Sequence, residues 1–356
     1  MAEADVASAE AHGSAGTQSP PEAERLLAIR GLHTHFFTER GVLRAVDGVD
    51  LSVDRREVLG VVGESGCGKT MTARSILRLV PRPGAIVAGE VLLEGRDLLA
   101  LPEAEMRRVR GRQITMVFQE PMTSLNPAYR IGNQIGEVLV AHRRELSRGE
   151  RRERVVELLR MVGIPSPEQR IANYPHHLSG GMRQRVMIAI ALAGGETQLL
   201  IADEPTTALD VTIQAQVLEL FQDLQRRIGM AVMLITHDLG VVAETAGRVA
   251  VMYAGSVVEH AAVDELFARP GHPYTQGLLR SLPQRGRDAR KSRLFTVPGS
   301  VPDLLDLEPG CKFFARCPHA VADVCLGSEP PLEPAGAGHL VRCRRIDALA
   351  AQERSA

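Results

Sequence analysis

A glycine-rich segment, Gly63-Glu-Ser-Gly-Cys-Gly-Lys69-Thr70, has the residue types and spacing that suit phosphate binding. Its glycines let backbone N–H groups approach an anion, and a helix start would add the positive end of its dipole. An apolar stretch at residues 57–62 precedes the segment and a helical pattern at residues 71–79 follows it, which is the setting that the motif requires. The sequence therefore predicts a nucleoside triphosphate site, formed by Gly63, Ser65, Gly66, Cys67, Gly68, Lys69 and Thr70.

Two adjacent carboxylates end a second apolar stretch, at residues 199–204. This pattern is typical of a buried parallel strand that carries acidic residues to its C-terminal end. We expect Asp203 to hold Mg²⁺ together with Thr70, and Glu204 to polarise the attacking water. His237 follows a third apolar stretch, Ala231–Thr236, and is expected to contact the γ-phosphate, a hydrogen-bonded surface histidine being the alternative.

A second small-residue nest comprises Ser179, Gly180 and Gly181. These residues are expected to open a helix over residues 182–193 and to offer N–H groups and a hydroxyl to a γ-phosphate. With the motifs above, the segment Leu178-Ser-Gly-Gly-Met-Arg-Gln resembles the signature sequence of ABC-type ATPases. Met182 stands where that family usually has glutamine, a departure that leaves the backbone donors in place.

The resemblance implies roles that the spacing alone does not give. In the family, the signature binds the nucleotide of a partner subunit, so that two chains enclose two ATP molecules head to tail. Gln119 would sense Mg²⁺ and water at the catalytic centre, and Asp210 would lie in the loop that crosses the interface. Either Phe36 or Phe37 would stack on adenine, unless that side chain belongs to the core.

Several longer stretches are similar to the ATP-binding subunits of dipeptide and oligopeptide importers. They are residues 118–127, 203–216 and 272–279 and the cysteine-bearing tail that begins near residue 298. The Ser-Gly-Gly-Met-Arg-Gln variant resembles the first of the two ATPase paralogues in such systems. The resemblance implies an ATPase that powers import of di- or oligopeptides through a permease, by ATP-driven closure of a dimer of nucleotide-binding domains. Another solute, such as nickel, or export stays an alternative.

The resemblance to peptide-importer ATPases also implies partners and a location. The partners are a paralogous ATPase subunit in a heterodimer, two permease subunits and an extracellular or periplasmic solute-binding protein. We expect the chain at the cytoplasmic face of the cell membrane, because its longest apolar run, residues 186–193, is far below the roughly 20 residues that span a bilayer. Any contact with the membrane would pass through protein partners.

Composition argues against nucleic acid as a partner. The formal net charge is −1 and aromatic residues make up 3% of the chain, which leaves neither a basic footprint nor a stacking platform. Soluble iron–sulfur ABC ATPases that act on nucleic acid or ribosomes are disfavoured as well. DNA-repair relatives insert long coiled coils between phosphate loop and signature, whereas this gap is short and holds no sustained heptads. The ribosome-recycling proteins carry two ATPase halves, whereas one set of motifs occurs here.

The expected organisation is an α/β P-loop NTPase (RecA-like) core with a mostly parallel sheet, an inserted helical subdomain and a small antiparallel β subdomain. Residues 1–24 are expected to be a disordered tail, and residues 25–265 a nucleotide-binding domain whose helical subdomain covers about 121–178. In that subdomain, Ser147 and Glu150 form a predicted capping box before an apolar helical face. Residues 266–356 are expected to form a C-terminal regulatory extension of the oligopeptide-importer type, with a four-cysteine site.

The five cysteines carry two further expectations. Cys67 lies before a helix start, where the dipole favours a reactive thiolate whose alkylation would block ATP binding; an inert small residue is the alternative. Four clustered thiols in a reducing compartment argue for metal rather than disulfides, and they lack the tight pairs typical of structural zinc. The tail resembles the cysteine extension of peptide-importer ATPases, which implies a 4Fe-4S cluster, with zinc and free thiols as alternatives. The proposed ligands are Cys311, Cys317, Cys325 and Cys343.

Overall fold

Two β-sheets organise the chain in the computed structural model, which describes residues 25–118, 124–207, 209–282, 295–305 and 307–353. The smaller sheet is antiparallel, with strand order β2-β1-β4-β5, and the larger has the order β11-β12-β10-β9-β3-β8-β7-β6. The strands are β1 (Arg25–Thr38), β2 (Gly41–Asp54), β3 (Val58–Val62), β4 (Gly84–Leu93), β5 (Arg96–Asp97), β6 (Ile114–Val117), β7 (Leu199–Asp203), β8 (Ala231–Thr236), β9 (Arg248–Tyr253), β10 (Ser256–Ala262), β11 (Glu333–Gly336) and β12 (His339–Val341).

Helices cover the larger sheet and fill the segment before the signature. They are α1 (Lys69–Ile76), α2 (Glu103–Val109), α3 (Ile131–His142), α4 (Arg148–Met161), α5 (Pro167–Arg170), α6 (Gly180–Leu192), α7 (Val211–Ile228), α8 (Leu239–Thr245), α9 (Val263–Ala268), α10 (Pro273–Arg280), α11 (Ala322–Cys325) and α12 (Ile346–Glu353). Within the described residues, no helix has both the length and the apolar character that crossing a bilayer requires.

The centre of the larger sheet is parallel, as the sequence predicts. Strands β6, β7, β8, β3 and β9 run parallel to one another, and β7 and β8 are buried along their whole length. Leu200 and Ala202 of β7 pack in one core and Leu199 and Ile201 pack in another, because successive side chains point to opposite faces. Parallel strands end at one common edge, so the segments that follow β3, β7 and β8 converge there.

The predicted capping box is confirmed. Ser147 Oγ accepts the Glu150 N–H (3.3 Å), and Glu150 Oε2 accepts the Ser147 N–H (2.7 Å) at the start of α4. Of the predicted apolar face, Val156 is half-buried and the other members are buried, namely Val155, Leu158, Leu159 and Val162. They share one core with residues of α3, α6 and α7, so the helical segment is packed on the α/β core.

Several helix limits differ from the sequence expectations by a few residues. Helix α1 ends at Ile76 rather than near residue 79, and α6 begins at Gly180 rather than at residue 182. Ser179 explains the second difference, because its side chain caps the helix and allows both glycines to enter the first turn. The expected disordered tail, residues 1–24, lies outside the described residues, and the domain limits stay predictions.

The C-terminal extension continues the larger sheet. Strand β12 pairs with β10, with Glu259 opposite Val341 and His260 opposite Leu340, and β11 pairs with β12. The fully buried Glu259 also accepts the backbone N–H of His272 (2.9 Å), while its Oε1 lies 2.7 Å from His339 Nε2. The sequence analysis did not foresee this pairing, which ties the extension to the nucleotide-binding domain.

A buried histidine in β10 makes the fold sensitive to acid. Burial lowers the pKa of His260 to about 4, with further lowering by the charges of Arg248 and His339. The unfolded chain takes up this proton near its ordinary pKa of 6.5, so between pH 6.5 and 4 the unfolded state binds more protons. The folded state therefore loses stability as the pH falls through this window, by up to about 1.4 kcal/mol per pH unit for this group.

We predict that His260→Leu flattens the decline of the thermal unfolding midpoint between pH 6.5 and 4.5, because it removes this titration. The matched variant His176→Leu changes an exposed histidine and should keep the wild-type slope. Differential scanning calorimetry across the pH range measures both. Equal slopes for wild type and His260→Leu would contradict the assignment.

Candidate nucleotide-binding site

Close backbone contacts shape the phosphate loop between β3 and α1. Gly63, Gly66 and Gly68 have φ values of 152°, 80° and 105°. A Cβ atom at Gly63 would lie 2.2 Å from the carbonyl oxygen of Met252, and one at Gly68 would lie 2.4 Å from that of Ala45. Glycine is therefore required at both positions, because any side chain would lift the loop off β2 and β9.

The lysine of the loop folds back over it. Lys69 Nζ donates hydrogen bonds to the carbonyl oxygens of Gly63 (2.7 Å) and Glu64 (3.0 Å), and the residue is buried. A helix start, glycine N–H groups and this ammonium group thus share one small region. That combination suits an anion with several phosphate oxygens.

A cavity of about 460 Å³ opens over the loop. It joins the loop to β1, β2, the end of β7 and one residue of the C-terminal extension, Leu304. Phe36 lines the cavity, whereas Phe37 is 52% exposed, so the structure separates the two aromatic candidates. The other lining residues are Thr38, Leu43, Ala45, Ser65, Gly66, Gly68, Lys69, Thr70, Met71 and Glu204.

Two of the predicted magnesium ligands, Thr70 and Asp203, meet beside this cavity. Thr70 Oγ1 donates a hydrogen bond to Asp203 Oδ1 over 3.0 Å. Burial raises the pKa of the Asp203 carboxyl, as does nearby Glu204, while the Thr70 hydrogen bond opposes this rise. A hydroxyl and a buried carboxylate are hard oxygen donors, the type that Mg²⁺ prefers.

Glu204 leaves the strand in a different direction from Asp203. Its φ of 47° is left-handed, which is uncommon for a residue with a side chain, and its N–H donates to the Ile235 carbonyl oxygen (2.9 Å). Its Oε2 accepts the Thr207 hydroxyl (2.9 Å) and lies 3.5 Å from His237 Nδ1. The structure thus brings Glu204 and His237 together, and adds Thr207, which the sequence analysis gave no role.

The signature residues lie at a helix start that is separate from this cavity. Ser179 Oγ accepts the Met182 N–H (3.3 Å), and Ser179 and Gly180 are exposed. Gly181 is needed for packing, because a Cβ there would lie 2.6 Å from Ile213 Cγ2 of α7. Within the described part of the chain, none of these three residues lines the cavity over the phosphate loop.

Two further predicted residues have less direct outcomes. Asp210 caps α7, and its Oδ1 accepts the Ile213 N–H (2.9 Å), a local role that the sequence analysis did not assign. Gln119 lies outside the described residues, so its expected part in the site stays a prediction.

The expectation of a reactive Cys67 thiolate is wrong. The residue is 1% exposed, and burial raises the pKa of its thiol even though the Lys69 charge lowers it. Its sulfur lies 3.8 Å from Lys69 Nζ beneath the loop, where a Cβ on Gly63 would approach to 2.7 Å. Loss of hydration outweighs the helix dipole here, since the neutral thiol is favoured in an apolar environment.

The four C-terminal cysteines line a second, smaller cavity together with His272, Phe313 and His319. Burial raises the pKa of Cys311 to about 11 and also raises the pKa values of Cys317 and Cys343. Among the described residues, no three of these sulfur atoms lie within 4.8 Å of one another. The structure brings the four cysteines to one place with their sulfurs farther apart than in a compact mononuclear site.

We predict that iodoacetamide labels Cys67 in the folded protein at least about tenfold more slowly than a thiol on the exposed side of the same loop, because its pKa is raised and its sulfur is buried. Ser65→Cys supplies that control thiol, since Ser65 is exposed. Peptide mass spectrometry over a time course measures both rates. Equal labelling would contradict the burial of Cys67.

Comparisons with known proteins place these features in a family. Residues 46–207 match the family described as ABC transporter, and residues 258–325 match the one described as oligopeptide/dipeptide transporter, C-terminal region. The fold resembles two solved structures of the ATP-binding cassette MJ0796. One, a dimer described as a post-hydrolysis state bound to ADP and Pi, has a TM-score of 0.60 and 26% identity, and it covers 67% of this chain and 99% of that one.

Curated relatives are similar over nearly the full length. A probable peptide ABC transporter ATP-binding protein, y4tR of Sinorhizobium fredii, is 56% identical over 329 residues, which are 92% of this chain and 97% of that protein. The oligopeptide transport ATP-binding protein AppD of Bacillus subtilis is 52% identical over 319 residues, 89% of this chain and 96% of that protein. The chain therefore belongs to the family of ATP-binding proteins of peptide ABC transporters.

Proposed function

We propose that this chain is the ATP-hydrolysing subunit of a membrane transporter that imports di- or oligopeptides. The observation that carries this proposal is the meeting of Lys69, Thr70 and Glu204 at one cavity over the phosphate loop, where Thr70 also donates a hydrogen bond to Asp203. Family membership over nine-tenths of the chain supports peptides rather than nickel or an exported solute as the cargo.

The residues around the cavity fit Mg-ATP. Glycine N–H groups and Lys69 Nζ would hold the phosphates, and Phe36 lines the same cavity, where we assign it to adenine. Thr70 Oγ1 and Asp203 Oδ1, 3.0 Å apart, would hold Mg²⁺, which supplies charge neutralisation at the phosphates when bound. Gln119 is assigned to the same ion and to the attacking water by resemblance to the family.

Glu204 is the group that we assign to the proton of the attacking water. Hydrolysis of a γ-phosphate needs water in line with the bond that breaks, and a carboxylate can orient that water and accept its proton. Thr207 holds Glu204 Oε2, and the nearby His237 Nδ1, 3.5 Å away, can stabilise the charge on the carboxylate and reach the γ-phosphate. The left-handed backbone at Glu204 sets its direction apart from that of the magnesium ligand Asp203.

The position of the signature supports closure between two chains. Ser179 and Gly180 are exposed at the start of α6 and do not line this chain's own cavity in the part that the structure describes. We therefore assign Ser179, Gly180 and Gly181 to the nucleotide of a paralogous partner subunit, with Asp210 near the interface. ATP would bring the two subunits together, and its hydrolysis would remove the shared phosphate that joins them.

Coupling to transport requires other proteins. We propose two permease subunits, which the helical segment α3 to α5 would contact, and an extracellular or periplasmic solute-binding protein. The chain would then lie at the cytoplasmic face of the cell membrane, held by the permease. Nucleic acid has no part in this proposal.

We propose that the four-cysteine site holds a 4Fe-4S cluster rather than zinc. Tetrahedral zinc with bonds of about 2.3 Å would draw its sulfur ligands to within about 4 Å of one another. No three of the described sulfurs lie within 4.8 Å of one another, and a cubane cluster binds each of its four thiolates through a different iron. Cys311, Cys317, Cys325 and Cys343 would hold this cluster, whose proposed role is to stabilise the extension.

We predict that Glu204→Gln binds Mg-ATP but loses about 10²- to 10⁴-fold in turnover, because the amide cannot accept the proton of water. The equivalent glutamate of the paralogous subunit must be changed as well, since one intact site could hide the loss. The matched variant Glu219→Gln changes an exposed glutamate of α7 and should hydrolyse ATP normally. Near-normal steady-state hydrolysis by Glu204→Gln would remove the carboxylate from this role.

We predict that anaerobically purified protein contains iron and sulfide and absorbs broadly near about 400 nm, with bleaching on reduction. Cys317→Ser should lose the iron because it removes one ligand. Cys67→Ser, which changes the buried cysteine of the phosphate loop, should keep it. Metal analysis that finds stoichiometric zinc, or neither metal, would contradict the cluster.

A further inference from the structure

An arginine of the C-terminal extension forms an ion pair with the phosphate loop. Arg316 lies in a short 3₁₀ turn, Phe314–Arg316, immediately before Cys317. Its Nη1 donates to Glu64 Oε2 (2.7 Å) and its Nη2 donates to Glu64 Oε1 (2.9 Å). Glu64 is the second residue of the phosphate loop, so a bidentate ion pair joins the extension to the nucleotide site.

Two backbone carbonyl oxygens and an aromatic ring also hold the Arg316 guanidinium. Its Nε donates to the Pro298 carbonyl oxygen (2.8 Å), its Nη2 also donates to that of Val297 (3.3 Å), and it lies over the Tyr253 ring at 5.6 Å. The side chain is 5% exposed, and the hydrogen bonds to Glu64 raise the pKa of Arg316 above its ordinary value. Arg316 is therefore a fixed, charged group that pairs with the Glu64 carboxylate through two parallel hydrogen bonds. This bidentate geometry is the one in which arginine binds carboxylates best.

A tyrosine of the extension holds the same loop residue through its backbone. The Glu64 N–H donates to the Tyr274 hydroxyl over 2.9 Å, and Tyr274 is fully buried against Tyr253 and Phe313. The Glu64 carbonyl oxygen in turn accepts a hydrogen bond from Lys69 Nζ. The extension thus fixes both the side chain and the peptide group of a residue that touches the phosphate-binding lysine.

We propose that Arg316 is a positioning residue of the nucleotide site, which orders the phosphate loop before ATP arrives. The loop contains three glycines at positive φ, so its backbone has much freedom to lose on binding. Ordering it in advance raises affinity without any contact between Arg316 and the nucleotide. The inference rests on the proposed binding of ATP and is independent of which metal the cysteines hold.

The placement of Arg316 makes the nucleotide site sensitive to the cysteine cavity. The Phe314 N–H donates to the Cys311 carbonyl oxygen (2.9 Å), and the Cys317 N–H donates to that of Phe314 (3.2 Å). One hydrogen-bonded turn therefore carries two cysteines and Arg316. A bulky group on Cys317 shifts this turn and weakens the ion pair between Arg316 and Glu64. The affinity for ATP then falls.

The first test measures the dissociation constant of a fluorescent ATP analogue with Mg²⁺ on the complete transporter complex, in which the phosphate-loop lysine of the paralogous subunit is replaced by alanine so that only this chain's site is measured. Arg316→Met should weaken ATP binding about tenfold or more. In this variant the phosphate loop becomes ordered only when the nucleotide binds, and the loss of backbone freedom then reduces the affinity. The KM for ATP should rise by a similar factor with little change in kcat. Arg316→Lys, which keeps the charge without the bidentate geometry, should recover part of the affinity.

Arg342→Met is the matched control within the same extension. Arg342 is partly buried and donates to the carbonyl oxygens of Val257 (2.8 Å) and Pro330 (3.0 Å), away from the phosphate loop. It should lower thermal stability without a change in ATP affinity. Equal affinity losses for Arg316→Met and Arg342→Met would overturn the inference, because they would mark a general effect on stability.

Two further experiments test the link to Cys317 and the nucleotide site itself separately. The bulky substitution Cys317→Phe should weaken ATP binding when Arg316 is present and add nothing to Arg316→Met; equal losses in both backgrounds would overturn the link. Lys69→Ala reports on the nucleotide site itself. If wild type and Lys69→Ala fail alike to bind ATP, the proposed function fails, whereas normal binding by wild type and Arg316→Met alike refutes only the positioning role.

Discussion

The close packing of the phosphate loop against one strand of each sheet, β9 and β2, is the constraint on which the rest of the site depends. Gly63 lies against the Met252 carbonyl oxygen and Gly68 lies against that of Ala45, with no room for a Cβ at either position. This contact limits where the loop N–H groups and Lys69 can point. It also places Thr70 beside Asp203, since β3 and β7 end at the same edge of a parallel sheet.

The same packing explains why the C-terminal extension belongs to the nucleotide site. Strand β9, which supports the loop, pairs with β10, and β10 pairs with β12 of the extension. Leu304 lines the nucleotide cavity, Tyr274 and Arg316 hold Glu64, and Lys312 donates to Asp47 Oδ2 of β2 (2.9 Å). A change in the extension therefore reaches the loop through direct contacts.

Local patterns allowed the sequence to predict much of this arrangement. The phosphate loop, β8, the capping box at Ser147 and the acidic end of β7 depend on residues that are neighbours in the chain. The burial of Cys67 could not be predicted in this way, because Met252 and Gly63 create it and the helix dipole suggests the opposite. The Arg316 contact to Glu64 joins residues 252 positions apart and carries no periodic or motif signal.

We propose that one ATP site is completed by two chains. Electron cryomicroscopy of the complete transporter with Glu204→Gln and Mg-ATP tests it most directly. The account predicts a nucleotide whose γ-phosphate contacts Lys69 of this chain and the signature segment of the partner subunit, with Ser179 to Gly181 on the second nucleotide. A closed complex in which each nucleotide contacts one chain only, with Ser179 to Gly181 in solvent, would contradict it.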